Sequence, residues 1–151
     1  MNKIISSLFM CLVIMSSSAY GADKDQIMGL WNTTKNNSKV EIFKCGENYC
    51  GKIVELKNPN YRADDKRGMG GQPKVDRLNP DPDLKTRPLL GLNMLEGFSY
   101  SGGNVWEGGT IYDPDNGKVY KCKMTLTDPK HLEVRGFIGI SWFGRTVIWT
   151  L

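Results

Sequence analysis

The sequence has few of the residues that most often perform catalysis or hold metal ions. It contains one histidine, His131, and only three cysteines beyond residue 21. No serine-centred nucleophile elbow, phosphate-binding glycine loop or dinucleotide fingerprint is present. An acyl-transfer centre or a zinc site therefore lacks a recognisable set of groups. We expect a protein that is not an enzyme and that needs no metal or other cofactor.

Runs of like charge and long apolar segments are also scarce. Lys3 is the one charged residue among the first 21, so the rest of the chain carries 19 Lys and Arg against 16 Asp and Glu. The two signs are interspersed, which argues against the basic surface typical of nucleic-acid binding. The apolar run at residues 4–15 is shorter than the roughly 20 residues that span a bilayer. We therefore expect neither a nucleic-acid partner nor stable membrane insertion.

The amino-terminal segment has the organisation of an export signal. Lys3 precedes the apolar run, small and polar residues follow it, and Ala19 and Gly21 occupy the positions that a signal peptidase recognises. We predict a signal peptide over residues 1–21 and a single mature domain over residues 22–151. The mature protein is then secreted into an oxidising environment, where cysteines tend to form disulfides.

The cysteine spacing suggests one disulfide. Four residues separate Cys45 from Cys50, and a loop of that length is common in β-hairpins. The two cysteines would face each other across the strands, so we predict a Cys45–Cys50 bond. Cys122 is left over, and it lies on the apolar face of its strand, which favours an inert core thiol over a nucleophile.

Short β-rich runs separated by turn signals recur along the mature chain, whereas helical periodicity is nearly absent. In the run at 118–127, apolar and polar residues alternate, which is typical of a strand with one buried face. Sheets of such strands have exposed edges unless they close, so we predict an all-β, up-and-down antiparallel barrel. Its eight strands are expected at residues 27–35, 38–45, 49–56, 90–100, 104–112, 118–127, 131–137 and 140–150.

One long segment, residues 57–88, interrupts this pattern between the third and fourth strands. It is rich in proline, glycine and charge, and its length indicates either a lid or a mobile excursion near the mouth of the barrel. Residues 81–85 combine a capping aspartate, a proline at the first helical position and an acidic first turn. They predict a single helical turn.

Two acidic groupings are candidate sites of chemistry. Asn79, Asp81 and Asp83 alternate as at the start of a calcium loop, but a leucine stands where that loop requires glycine. Glu96 and Glu107 lie on neighbouring predicted strands and could supply the carboxylate pair of a glycosidase. Most carboxylates on such strands are solvated. An enzyme of unrecognised type, using carboxylates such as Glu96 or Asp76, is therefore only a third hypothesis.

Closure of the barrel brings the first and last strands side by side. We therefore predict that Trp31 lies under the guanidinium of Arg145 as a cation–π pair. Gly29, two residues before the tryptophan, would give the backbone room for that contact. All three residues are assigned structural roles, and Arg145→Ala is expected to reduce stability more than ligand affinity.

Gly29-x-Trp31 on the first strand, together with Arg145 on the last, resembles the lipocalin signature. More specifically, the chain resembles a bacterial family of secreted, lipocalin-like proteins known as domain of unknown function 2147. The resemblance is carried by the motifs at residues 29–31, 50–56, 76–92, 111–124 and 133–150. It implies a lipocalin-like barrel exported to the periplasm, and it implies no established activity.

The leading hypothesis is a non-enzymatic periplasmic barrel that binds a small apolar or amphiphilic molecule in its interior. Alternation alone selects Met94, Tyr120, Met124 and Val134 as candidate lining residues. The alternative is an envelope interaction module whose barrel is filled and which acts through its 57–88 loop. The presence or absence of a cavity separates the two, and the ligand and the oligomeric state stay open.

Overall fold

Eight antiparallel strands close into a barrel in the computed structural model, which describes residues 23–34, 37–140 and 142–151. Each strand pairs with the next in sequence, and β8 returns to β1 through the pair Asn32–Thr150. The predicted up-and-down barrel is confirmed. The strands are β1 (Gly29–Asn32), β2 (Ser38–Cys45), β3 (Asn48–Leu56), β4 (Asn93–Gly102), β5 (Val105–Asp113), β6 (Lys118–Asp128), β7 (His131–Phe137) and β8 (Gly144–Thr150).

The signal peptide predicted at residues 1–21 lies outside the described residues. Within the described ranges, no helix has the length and apolar character needed to cross a bilayer.

Two strands begin three or more residues later than the sequence pattern predicts. β4 begins at Asn93 rather than at residue 90, because Leu92 donates its backbone N–H to the carbonyl of Leu89 and closes a turn. Gly91 within that turn has a φ of +87°. β8 begins at Gly144 rather than at residue 140, although the preceding residues are apolar and resemble a strand in composition. Composition alone does not distinguish an apolar turn from a paired strand.

The amino-terminal turn, residues 23–28, plugs one end of the barrel. Ile27 is completely buried there, and its carbonyl accepts the indole N–H of Trp31 at 2.8 Å. The indole N–H of Trp106, on β5, donates to the carbonyl of Lys24 at 3.1 Å. The plug is therefore held by indole groups from two strands, and we call this end of the barrel the closed end.

A tyrosine and a lysine fix the same turn from β2 and β3. The hydroxyl of Tyr49 donates to the carboxylate of Asp25 at 2.5 Å, and the Lys44 ammonium lies 3.1 Å from that carboxylate. Burial and the hydrogen bond to Asp25 raise the pKa of Tyr49 to about 12. The hydrogen bonds from Tyr49 and Lys44 lower the pKa of Asp25. At neutral pH the tyrosine is thus the donor and the aspartate the charged acceptor.

Trp31 and Arg145 do not meet, so the predicted cation–π pair is wrong. β1 pairs with β8 only at Asn32 and Thr150, whereas Arg145 is five residues away along β8 and pairs with Gly136 of β7. At about 3.3 Å per residue, that separation is on the order of 16 Å. Trp31 is buried in the closed end, and Arg145 is exposed toward the other end.

Gly29 is required by its backbone conformation rather than by the close contact that the sequence suggested. Its φ is +142°, in a region that side-chain-bearing residues rarely adopt. A Cβ at this position would meet only a methyl carbon of Leu151, at 3.9 Å. The glycine therefore permits the turn that leads from the plug into β1.

The barrel is packed solid next to the plug. Phe98, Trp106 and Met124 are completely buried, and the rings of Tyr49 and Trp106 meet edge to face with centroids 6.4 Å apart. A Cβ on Gly109 would lie 2.5 Å from the Phe98 ring, so the glycine makes room for that ring. Large buried aromatic rings supply much of the apolar area that stabilises a barrel.

The predicted disulfide is confirmed, and its geometry differs in one detail. Cys45 and Cys50 are bonded with their Cα atoms 5.8 Å apart. Cys45 pairs with Asn48 and Cys50 with Phe43, so the two cysteines are diagonal rather than directly opposite. Cys122 is a free and buried thiol, as expected, and burial raises its pKa to about 12.

The β3–β4 segment, which we define as residues 57–92, folds on itself rather than extending into solvent. Two isolated bridges, Asn60–Pro73 and Val75–Pro88, turn it back toward the barrel. The segment is therefore an ordered excursion with hydrogen bonds of its own.

The helical turn predicted within this segment is confirmed as a single 3-10 turn, Pro82–Leu84. Asp81 caps it by accepting the backbone N–H of Asp83 at 3.0 Å. Asn79 instead donates its amide to Asp76 at 2.8 Å. Among the described residues, no group of three or more His, Cys, Asp or Glu side chains has the arrangement of a metal site.

Candidate ligand-binding site

The end of the barrel opposite the plug is hollow. A cavity of about 880 Å³ opens there, between the ends of β4 to β8 that point away from the closed end. That volume lies within the roughly 300–1,000 Å³ typical of small-molecule sites. The apolar residues that line it on the strands are Met94, Ile111, Val134, Phe137 and Val147.

Three of the four lining residues selected by alternation border this cavity. Met94, Tyr120 and Val134 line it, on β4, β6 and β7. Met124 does not, because it lies four residues beyond Tyr120 on β6, where it pairs with Trp106 in the packed core. Alternation determines which face a side chain occupies, but not its height along the barrel axis. The sequence-based assignment of Met124 to the cavity is corrected accordingly.

Polar groups are concentrated at the rim, in the turn between β5 and β6. The amide of Asn116 donates to the carboxylate of Asp113 at 2.8 Å and to the hydroxyl of Tyr120 at 3.0 Å. All three residues line the cavity. The rim thus holds a hydroxyl, an amide and a carboxylate in fixed positions above an apolar wall.

Arg145 is the cation that lines the cavity, at the start of β8. It is exposed, and within the described part of the chain its guanidinium has no hydrogen bond, ion pair or ring contact. A guanidinium presents a planar set of N–H donors that suits a carboxylate or phosphate. Its position at an apolar opening therefore suits a ligand with an anionic end.

Tyr112 connects the cavity to the β3–β4 segment. Tyr112 is among the residues that line the cavity, and its hydroxyl donates to the carboxylate of Asp76 at 2.5 Å. Asp76 is completely buried, and it also accepts from Asn79 at 2.8 Å and from Arg87 at 2.8 and 2.9 Å. Burial and the hydrogen bond to Asp76 raise the pKa of Tyr112, so its hydroxyl remains a donor. This network joins the segment to the cavity wall.

The same segment also passes close to the backbone of the β5–β6 turn. Gly117 has a φ of +69°, and a Cβ there would overlap the carbonyl oxygen of Leu78. The segment itself contributes no residue to the described cavity lining, so it lies beside the mouth rather than over it. Sequence reasoning missed both contacts, because a buried Asp76 has no local pattern that distinguishes it from other loop carboxylates.

The carboxylates weighed for glycoside hydrolysis are not assembled in the cavity. Glu96 and Glu107 are exposed, pair with Thr110 and Ser99 respectively, and do not line it. His131 lies at the β6–β7 turn, 2.7 Å from Asp128. Hydrogen bonds from the Lys130 backbone and from His131 lower the pKa of Asp128, as is common for a carboxylate that closes a turn. None of these groups is placed to act on a molecule in the barrel.

The sequence matches a family described as an uncharacterized protein conserved in bacteria (DUF2147), over residues 29–151. No curated protein matches it significantly. Among solved structures, the chain is similar to HP1028 of Helicobacter pylori, a protein described as belonging to the lipocalin family. The TM-score is 0.68, with 22% identity over 82% of this chain and 80% of that chain. At that identity, the likeness concerns the fold alone.

Proposed function

The chain belongs to the bacterial family DUF2147, and from its lipocalin-like barrel and open cavity we propose that it is a non-enzymatic protein that binds a small molecule. The ligand is apolar or amphiphilic, and it lies inside the barrel. The observation that carries the proposal is the cavity of about 880 Å³ at the end opposite the plug. The cavity also weighs against the alternative of an interaction module with a filled barrel.

The lining suggests how an amphiphile would lie. Its apolar part would contact Met94, Val134 and Val147, away from solvent, and its polar end would remain at the rim beside Arg145. Each buried methylene contributes about 0.8 kcal/mol, which corresponds to roughly a fourfold gain in affinity per added carbon. The gain should stop when the chain length exceeds the depth of the cavity.

The periplasm is the compartment we propose, on the strength of two features. The apolar amino-terminal segment has the organisation of a signal peptide. The Cys45–Cys50 disulfide is typical of proteins that fold in an oxidising environment. Fractionation of the native bacterium, with immunodetection of the chain, tests this location.

Displacement of a fluorescent apolar dye by single-chain carboxylates of increasing length tests the binding. In Val147→Trp, an indole occupies part of the cavity, and we expect affinity to fall at least tenfold. Val119→Trp is the matched control, because Val119 is exposed on β6 and does not line the cavity. The proposal is wrong if the wild-type protein binds no dye, or if the folded Val147→Trp variant binds like the control.

The role of Arg145 is tested by comparing head groups at constant chain length. We expect Arg145→Gln to weaken the binding of carboxylates about tenfold, the value of one partly exposed charge-assisted hydrogen bond, and to leave the corresponding alcohols unaffected. The melting temperature should hardly change, since the Arg145 guanidinium has no partner within the described residues. This reverses the sequence-based expectation that Arg145 matters more for stability than for ligand affinity, because the predicted contact with Trp31 is not made. Equal losses for acid and alcohol would contradict this assignment.

A further inference from the structure

The turn between β7 and β8 carries a large exposed apolar surface. Ile138, Ile140, Trp142 and Phe143 are 70, 62, 86 and 78% exposed. Single exposed apolar side chains are ordinary, but contiguous apolar patches usually mark a contact with another molecule. These four lie within six residues of sequence, and we call them the apolar tip.

The apolar tip lies at the entrance of the cavity. Ile138, Trp142 and Phe143 also contribute to the cavity lining. The turn is held in shape by the backbone N–H of Phe143, which donates to the carbonyl of Ile140, and by Arg135, which donates to the carbonyl of Trp142. The exposed side chains are therefore presented on a defined turn.

Cations border the apolar tip on the adjacent strands. Lys121 pairs with Phe137, Lys123 pairs with Arg135, and Arg145 pairs with Gly136. These paired positions on β6, β7 and β8 are the ones next to the apolar tip, and none of them is occupied by an aspartate or a glutamate. The next acidic residue along β7 is Glu133, which lines a surface pocket with Lys123, Arg135 and Trp142, so two cations and one carboxylate lie beside the tryptophan. Asp113 and Asp115 belong to the neighbouring β5–β6 turn.

We propose that the apolar tip docks on the surface of a lipid bilayer that contains anionic phospholipids. Its aromatic and aliphatic side chains enter the headgroup region, and Lys121, Lys123 and Arg135 face the phosphates. Tryptophan suits this location because its ring is apolar and its N–H is polar. Basic residues next to an inserted apolar surface strengthen binding to anionic lipids.

The arrangement of charge favours a bilayer over a second copy of the chain. In a symmetric dimer formed through the apolar tips, Lys121, Lys123 and Arg145 would approach the same cations of the second copy. Four side chains on one turn are also few for a stable protein interface, which buries about 800 Å² on each partner. A shallow contact with a fluid anionic surface requires neither symmetry nor a large area.

Docking would point the cavity entrance at the membrane. An amphiphile could then move between bilayer and barrel without crossing water. The docking inference depends on the exposure and charge of the turn and not on the proposed ligand, so the two proposals can fail separately. In particular, Val147→Trp should dock like the wild-type protein although its cavity is obstructed.

Tryptophan fluorescence provides a direct test, because Trp31, Trp106 and Trp149 are buried and Trp142 is exposed. With vesicles of phosphatidylglycerol and phosphatidylcholine, we expect the emission to shift to shorter wavelength and to be quenched by brominated acyl chains. Vesicles of phosphatidylcholine alone should bind at least tenfold more weakly. Salt should weaken the binding to anionic vesicles, because it screens the exposed cations.

Variants locate the contact by vesicle co-sedimentation. Trp142→Ala with Phe143→Ala should reduce binding at least tenfold, whereas Leu30→Ala, an exposed apolar residue on β1, should leave it unchanged. Equal binding by the folded double variant and the control would overturn the proposal. Self-association that depends on protein concentration, occurs without lipid and is abolished in the double variant would also overturn it. A loss of docking in Val147→Trp would overturn it as well, because the turn would then be a lid over the ligand.

Discussion

Replacement of Asp76 by alanine tests whether one buried carboxylate holds the β3–β4 segment on the barrel. Asp76 is completely buried and accepts hydrogen bonds from Tyr112, Asn79 and Arg87, which approach it from the barrel and from two parts of the segment. No other described side chain joins these three groups. Its removal leaves two buried donors and one cation without their acceptor.

The expected cost follows from the exposure of the three partners. The Arg87 side chain is 35% exposed and can turn toward water, whereas Tyr112 and Asn79 are 9% and 5% exposed and cannot. Each buried group left without a partner costs about 1–3 kcal/mol. The contact of 3.1 Å from the Asn79 amide to the Tyr112 hydroxyl recovers part of that loss. We therefore expect about 3 kcal/mol, near the lower end for breaking a buried ion pair.

Urea unfolding and native-state hydrogen exchange measure this effect. The backbone N–H groups of Asn79 and Leu89, which donate to the carbonyls of Asp76 and Lys74, report on the segment. If the segment opens locally, their protection should fall by about 150-fold, the equivalent of 3 kcal/mol. Asp76→Asn keeps an acceptor oxygen and should cost less than Asp76→Ala.

The control is an exposed ion pair of the same chemical type. Glu55→Ala removes the contact of 2.8 Å between Glu55 and Lys39, whose side chains are both exposed, and should cost less than about 1 kcal/mol. Equal effects of Asp76→Ala and Glu55→Ala on unfolding and on exchange would refute the reasoning. The buried carboxylate would then contribute no more than a surface charge.

Three further predictions concern the cysteines and two glycines. Replacing Cys45 and Cys50 by alanine should lower the free energy of unfolding by about 2 kcal/mol, because the disulfide closes a loop of only six residues. Urea titration measures the free energy of unfolding, and an unchanged value would contradict the prediction. Cys122 should not react with a thiol reagent at pH 8 until the protein is unfolded, because burial raises its pKa to about 12; rapid labelling of the native protein would contradict that. Gly117→Ala should destabilise more than Gly46→Ala in thermal melts. Both glycines have a φ near +68°, but only at Gly117 would the new Cβ clash with the backbone of the β3–β4 segment. Equal melting temperatures of the Gly117→Ala and Gly46→Ala variants would show that the clash is relieved at no cost.

Local sequence patterns predicted most of the strands, the Cys45–Cys50 disulfide and the free thiol of Cys122. The alternation on β6 places Tyr120 and Cys122 on the inner face, and the structure agrees. Met124 shares that face and yet lies below the cavity, because depth in a barrel depends on how neighbouring strands are staggered. Arg145 illustrates the same limit, since the short overlap of β1 and β8 leaves it far from Trp31.

The chemistry of the sequence by itself determined the closed all-β barrel, the Cys45–Cys50 bond and the buried thiol of Cys122, because strand periodicity and hairpin spacing are local properties. Tertiary structure decided which inner side chains border a cavity, where Arg145 lies and how Asp76 anchors the long segment. Those features depend on the register between strands distant in sequence and on an amino-terminal plug that fills one end only. No local pattern contains that information, because it arises only when the two ends of the sheet meet.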